Sequence, residues 1–118
     1  MDERRKYIRF PVMLQARYAE SGGGWKECSV IDISREGMGI RIYSREEIAT
    51  GSRLQMEINL PARNDPVAME GVLMWIRKLK DDPPFNYLGG VRISSITPEE
   101  KWVLLDYAYE GWQQREGR

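Results

Sequence analysis

Along much of this chain apolar and polar residues alternate with a period of two, the spacing that turns one face of a strand toward a core. Val12, Leu14, Ala16 and Tyr18 alternate with Met13, Gln15 and Arg17, which predicts a first strand. Ser21-Gly22-Gly23-Gly24 predicts a tight turn back onto a second strand from about Trp25 to Ile33. This glycine run lacks the Gly-Lys-Ser/Thr ending of a phosphate-binding loop, so a hairpin tip accounts for it better. Met38, Ile40 and Ile42 alternate with Gly39, Arg41 and Tyr43 in a third strand. Arg45 to Gly51 is a polar connection with room for one helical turn. Leu54, Met56, Ile58 and Leu60 give a fourth strand, and the loop Pro61–Pro66 is rich in breakers. The fifth strand, Val67 to Leu79, carries large residues on both faces, with Leu73 and Trp75 on one side and Val72, Met74 and Ile76 on the other. Its outer face therefore calls for a cover. Lys80-Asp81-Asp82-Pro83-Pro84 is an exposed turn. Tyr87 to Ile93 is the sixth strand, and Gly89-Gly90 within it predicts a bulge or a close approach.

The period changes after Thr97. Thr97 is a capping residue, Pro98 suits a first helical position, and Glu100 completes a capping box. Trp102, Leu105, Tyr109 and Trp112 follow at helical spacing on one face, placed to cover the fifth strand. The polar tail beyond Gly111 is expected to fray. The fold class predicted is all-β with one helix: a six-stranded antiparallel β-barrel plus a C-terminal α-helix. A basic, flexible N-terminal arm occupies residues 1–10, and the barrel with its helix occupies residues 11–114. No internal repeat or low-complexity segment interrupts this plan.

Composition narrows the function. A chain of 118 residues suits one domain, and 42% hydrophobic with 31% charged residues marks a globular one. The 18 basic and 18 acidic residues cancel, which argues against a general nucleic-acid binder. With one cysteine and no histidine there is no intrachain disulfide, no Cys/His zinc site and no catalysis by a histidine base. Cys28, among apolar and small residues, reads as a buried structural thiol. No apolar run follows the N-terminal cations and none reaches the length of a membrane span, so the expected location is the cytoplasm.

Two stretches carry candidate chemistry. Arg4-Arg5-Lys6-Tyr7-Ile8-Arg9 concentrates four cations ahead of the first core element. Asp32-Ile33-Ser34-Arg35-Glu36-Gly37 falls at the end of the second strand. With Ile31 and Ile33 on the core face, Asp32 and Ser34 share the opposite one, and Gly37 permits a tight turn. Alone, the first stretch is a solvated tail and the second an ordinary turn. Together they suit a ligand bearing both phosphate and guanine. Arginine donates in a planar fork to phosphate oxygens and to the guanine O6/N7 edge, and it stacks on purines. A carboxylate accepts from the guanine N1 and N2 donors, and a serine adds a donor or acceptor.

Arg5-Lys6-Tyr7-Ile8-Arg9 fits R-x-x-x-R, and Asp32 to Gly37 fits D/N-x-S-x-x-G. In this order and spacing the pair resembles the signature of PilZ domains, bacterial receptors for cyclic di-GMP. Phe10-Pro11, the Gly71–Trp75 strand and Gly89-Gly90-Val91-Arg92 fall where that family has similar segments, so the likeness covers nearly the whole chain as a single-domain member. The resemblance implies that Arg5 and Arg9 hold phosphates and guanine edges, that Asp32 and Ser34 contact a guanine, and that Gly37 allows close approach. It implies that Arg4, directly before the motif, favours a stacked ligand dimer. It also places Trp75 beside the ligand, although a core or helix-packing role for Trp75 is an equal reading. The expected partners are cyclic di-GMP and a protein not identified by the sequence, with no cofactor, metal, nucleic acid or catalysis. The ligand is expected to fold the arm over the barrel edge and create a surface for that protein. An adaptor of the same fold that binds no nucleotide is the alternative, marked by exposed aromatic residues at Trp102, Tyr109 or Trp112. A small barrel for single-stranded nucleic acid is a third reading, opposed by the charge balance.

Overall fold

The computed structural model describes residues 8–44, 48–79 and 86–116. Six strands, β1 (Phe10–Glu20), β2 (Lys26–Ile33), β3 (Gly37–Tyr43), β4 (Arg53–Ile58), β5 (Val67–Lys78) and β6 (Asn86–Ser95), precede one helix, α1 (Pro98–Glu116). They form a closed barrel in the order β1-β2-β3-β6-β5-β4, every pairing antiparallel. Sequential neighbours pair except at β3–β4, where the chain crosses to the other side of the sheet. β4 then pairs with β1, and β6 returns to β3. Each strand thus has two neighbours, although the β1–β4 seam covers only Ala16–Glu20 of β1.

The alternation seen in the sequence fills this barrel. Leu14, Ala16 and Tyr18 of β1, Ile40 and Ile42 of β3, Leu54, Met56 and Ile58 of β4, and Val67 and Leu73 of β5 are all buried in one cluster. At the β1–β2 turn the Gly23 N–H donates to the Glu20 carbonyl at 2.8 Å, and Gly22 takes a φ of 78°, which glycine adopts without penalty. On the outer surface Arg17 pairs with Glu57 at 2.7 Å across the β1–β4 seam and lies over the Trp25 ring.

Two expectations fail where the ladder is irregular. On β2, Val30 pairs with Ile40 but Asp32 pairs with Gly39, so Ile31 is an extra residue in a bulge. Val30 and Ile33 point inward, and Ile31 is only partly buried. On β5 a second irregularity falls between Leu73 and Trp75. Leu73 stays in the core, whereas Met74 and Trp75 both emerge, 49% and 43% exposed. Leu73 and Trp75 therefore do not share a face.

The helix also departs from the expectation. Thr97 caps it as predicted, its hydroxyl accepting from the Glu100 N–H at 3.2 Å. The Glu100 carboxylate instead meets Arg63 at 3.1 Å, tying the β4–β5 loop to α1. The residues that α1 buries in the core are Leu104 and Ala108, four apart, with Val103, Leu105 and Tyr107 beside them. Trp102 faces away, 65% exposed. Tyr109 and Trp112 pack edge-on against Phe10 at the start of β1, with centroids 5.9 and 5.8 Å away. The contacts of α1 go to β1, β2 and β5 together, and the exposed Met74 and Trp75 show that it does not cover the outer face of β5. The helix runs on through Gly111 to Glu116. The Trp112 contact with Phe10 anchors this last stretch.

Cys28 is buried in the barrel wall. Burial, and secondarily the Glu27 carboxylate, push its thiol up from 9.0 to about 12. In the unfolded chain the thiol ionises near its ordinary value, so between pH 9 and about 12 only the unfolded state gains from losing the proton. This contribution to stability is complete below pH 9 and is lost as pH rises toward 12. Burial pushes the Tyr18 hydroxyl up to about 12 and acts in the same sense. The urea midpoint is expected to hold steady up to pH 8.5 and fall above pH 9, less steeply in Cys28→Ala. Equal alkaline slopes for the two proteins would remove Cys28 from this account.

Candidate functional site

The end of β2 builds the site. The bulge at Ile31 resets the strand's phase and brings the Asp32 carboxylate over Gly39 of β3, whose N–H donates to Asp32 Oδ1 at 2.8 Å. A Cβ at position 39 would lie 3.0 Å from both carboxylate oxygens, so the absence of a side chain lets the carboxylate settle there. Arg9 Nη1 donates to the same oxygen at 2.7 Å. The guanidinium just ahead of β1 and the carboxylate at the end of β2 thus form a partly buried pair. Pro11 lies opposite Asp32 in the β1–β2 register and brings the two together.

Ser34 behaves differently. β2 ends at Ile33, so alternation no longer dictates where residue 34 points. Ser34 is 5% exposed and holds the next turn. Its N–H and hydroxyl donate to the Gly37 carbonyl at 2.8 and 3.3 Å. Its Oγ also accepts from the Glu36 and Gly37 N–H groups at 3.3 and 3.2 Å. Gly37 is pressed against β6, and a Cβ there would run into the Val91 carbonyl oxygen. The motif is therefore a rigid turn as well as a candidate contact surface.

An open cleft of about 240 Å³ lies over this turn. Arg9, Ser34, Glu36 and Gly37 line it together with Met74, Trp75, Gly90, Val91 and Arg92. Trp75 reaches the cleft because of the β5 irregularity. Its indole lies on Gly90, where any Cβ would overlap the ring. The Gly89-Gly90 pair thus marks the close approach expected from sequence, and the group that approaches is Trp75. Arg92, paired with Gly37 across β3–β6, adds a second guanidinium that sequence reading left without a role. Its signal was its place in the Gly89-Gly90-Val91-Arg92 segment, two residues from Gly90 and so on the same strand face.

Of the predicted site residues, Arg9, Ser34, Gly37 and Trp75 line the cleft, and Asp32 stands behind Arg9. Arg4 and Arg5 lie outside the described residues. The cleft offers cationic forks, one aromatic face and backbone polar groups, a set suited to an anion with a planar heterocycle. Among the described residues, no group of three or more His, Cys, Asp or Glu side chains is placed to hold a metal ion. No described helix is long and apolar enough to cross a membrane.

Comparison with known proteins gives the fold a context. A family model described as PilZ domain matches residues 3–110. Comparison with curated protein sequences found no match. Among solved structures, the Bacillus subtilis inhibitor of motility MotI/DgrA superposes with a TM-score of 0.78 at 20% identity, over 98% of this chain and 54% of that one. The PilZ domain of Escherichia coli YcgR with cyclic di-GMP gives 0.73 at 20% identity, over 98% and 95%. The K. pneumonia MrkH complex with cyclic di-GMP gives 0.68 at 13% identity, over 98% and 55%. The chain thus spans about half the length of MotI/DgrA and MrkH and nearly all of the isolated YcgR domain.

Proposed function

Because the chain belongs to the PilZ domain family, we propose that it is a receptor for cyclic di-GMP that passes ligand occupancy to a partner protein. The observation that carries this reading is the Arg9–Asp32 pair set beside the Ser34–Gly37 turn, in a cleft that also holds Trp75 and Arg92. In this reading the Arg9 fork turns toward a phosphate or a guanine edge, and Asp32, still held by the Gly39 N–H, accepts from a guanine. Trp75 offers its ring to a base, and Arg92 supplies counter-charge to a dianion. Arg5 completes the arginine pair, and Arg4 sets whether one ligand or a stacked pair is held. The arm ahead of β1 folds onto the ligand, and the altered surface is what the partner reads. No step of this mechanism makes or breaks a covalent bond.

Titration calorimetry with cyclic di-GMP tests the reading and reports the ligand ratio. Saturable binding is expected, with Arg5→Ala weakened roughly 10- to 100-fold, the loss of one bidentate arginine. No heat from the unsubstituted protein would sink the receptor reading, and equal affinities would remove Arg5 from it. A stoichiometry of two that drops to one in Arg4→Ala supports the role given to Arg4.

An adaptor that needs no nucleotide is the second reading, and the exposure of Trp102 and Tyr109 on α1 favours it. Partner binding that is identical with and without cyclic di-GMP would select it.

A further inference from the structure

The proposed ligand leaves Glu36 unexplained. Among the described residues that line the cleft it is the one carboxylate, and a carboxylate repels a dianion. Its backbone is fixed in place. The Glu36 N–H donates to Ser34 Oγ at 3.3 Å, and the Glu36 carbonyl accepts from the Ile93 N–H at 2.9 Å. Arg92 is held beside it, because Gly37 pairs with Arg92 across β3–β6. The Glu36 and Arg92 side chains are exposed and carry opposite charges, yet among the described residues no ion pair joins them. Both line the cleft, and both also line a furrow of about 230 Å³ next to it. Lys101 and Ile93 line the furrow too, whereas Arg35, which also reaches it, has its own partner.

The cleft by itself measures about 240 Å³, below the roughly 300–1,000 Å³ of pockets that enclose a drug-sized ligand. A cyclic dinucleotide carries two bases and extends beyond it. Glu36 and Arg92 are the residues that the cleft and the furrow have in common.

We propose that Glu36 and Arg92 form a second guanine-reading subsite, which takes the base that the cleft does not enclose. Arg92 turns its planar fork to the O6/N7 edge while keeping its counter-charge, and the Glu36 carboxylate accepts from the N1 and N2 donors. The subsite rests on reading the cleft as the cyclic di-GMP site, where Asp32 takes the first guanine. The two residue types together select the base. Adenine would set its N1 acceptor against the Glu36 carboxylate and its N6 donor against the Arg92 donors. A phosphate in the furrow would gain Arg92 and Lys101 but would face Glu36 as a like charge. Only a guanine satisfies both side chains, so the repulsion that Glu36 brings to an anion site becomes selectivity.

Titration calorimetry of the full chain with cyclic di-GMP and with cyclic GMP-AMP of the same linkages tests the subsite. The second ligand keeps the ring and both phosphates and replaces one guanine by adenine. The unsubstituted protein is expected to prefer cyclic di-GMP by about tenfold or more. Glu36→Gln is expected to weaken cyclic di-GMP about tenfold or more, to change the mixed ligand by no more than about twofold, and to leave the melting temperature in place. Arg92→Lys keeps the charge without the planar fork and is expected to narrow the preference in the same direction. Tighter binding of both ligands by Glu36→Gln would reduce Glu36 to a repulsive charge and overturn the subsite. Equal affinities of the unsubstituted protein for the two ligands would do the same, as would a preference that Glu36→Gln leaves intact. A full preference in Arg92→Lys removes Arg92 from the subsite. Each of these results leaves cyclic di-GMP binding standing. Absence of heat from the unsubstituted protein with either ligand is the separate failure of the receptor reading, and the subsite falls with it.

Discussion

Arg9→Ala is expected to weaken cyclic di-GMP binding roughly 10- to 100-fold while leaving the barrel folded. Two losses combine. The substitution removes a planar donor fork from the cleft wall, and it leaves the Asp32 carboxylate without the cation that sits 2.7 Å from it. An uncompensated carboxylate then faces an incoming dianion. The Arg9 and Asp32 side chains are 32% and 26% exposed, so solvent screening holds the pair's own contribution to folding to about 1 kcal/mol and the melting temperature is expected to move little. Asp32 separates affinity from stability in a second way. Asp32→Asn keeps an acceptor for the Gly39 N–H and is expected to cost affinity alone. Asp32→Ala strips that N–H of its partner, which costs about 1–3 kcal/mol, so this variant is expected to lose melting temperature as well. Calorimetry and thermal melting on the three variants measure the outcome. Unaltered affinity in Arg9→Ala would remove Arg9 from the site.

Gly37→Ala is expected to be the most damaging single methyl group in the site, with a loss of about 3 kcal/mol and a fall in melting temperature of roughly 10 °C or more. The added carbon would collide with the Val91 carbonyl oxygen, which belongs to the β6 backbone and cannot rotate away as a side-chain end does. Relief requires β3 and β6 to separate where Gly37 pairs with Arg92. That movement shifts Arg92 and loosens the turn closed by Ser34, so affinity is expected to fall with stability. A melting temperature within a degree or two of the unsubstituted protein would show that the strands accommodate the methyl and that the turn is less constrained than its packing implies. Gly90 is a useful contrast. A Cβ there meets the Trp75 indole, which is a side chain and can swing out, so Gly90→Ala acts on the cleft more than on the barrel.

What was legible in the sequence followed from local rules that tertiary contacts reinforced. Leu14, Ala16 and Tyr18, or Leu54, Met56 and Ile58, alternate in unbroken runs, and each run is a strand with its apolar side inward. Thr97 and Pro98 announce the helix start through chemistry confined to one turn. The readings that failed sit at places where one residue changes the phase. Ile31 and Trp75 were assigned faces by counting in twos, and a bulge beside each of them broke the count. Ser34 was assigned a face by the same rule one residue after the strand had ended. On α1 the large aromatic residues outweighed Leu104 and Ala108 in the periodicity, yet the smaller pair fits against the closed barrel and Trp102 does not.

The sequence by itself determined the six strands, the helix and the residue types of the proposed site, because alternation, turn glycines and capping residues act over a few neighbours. It also placed Arg9, Asp32, Ser34 and Gly37 among the residues worth examining. Only the tertiary structure decided that Arg9 and Asp32 meet, that Ser34 turns inward to hold its loop, and that Trp75 and Arg92 line the same cleft as Arg9 and Ser34. Those relations depend on strand register, and register is set where bulges and side-chain-free glycines let backbones approach. The contacts at such points come from strands far apart in the chain, and no local pattern records them.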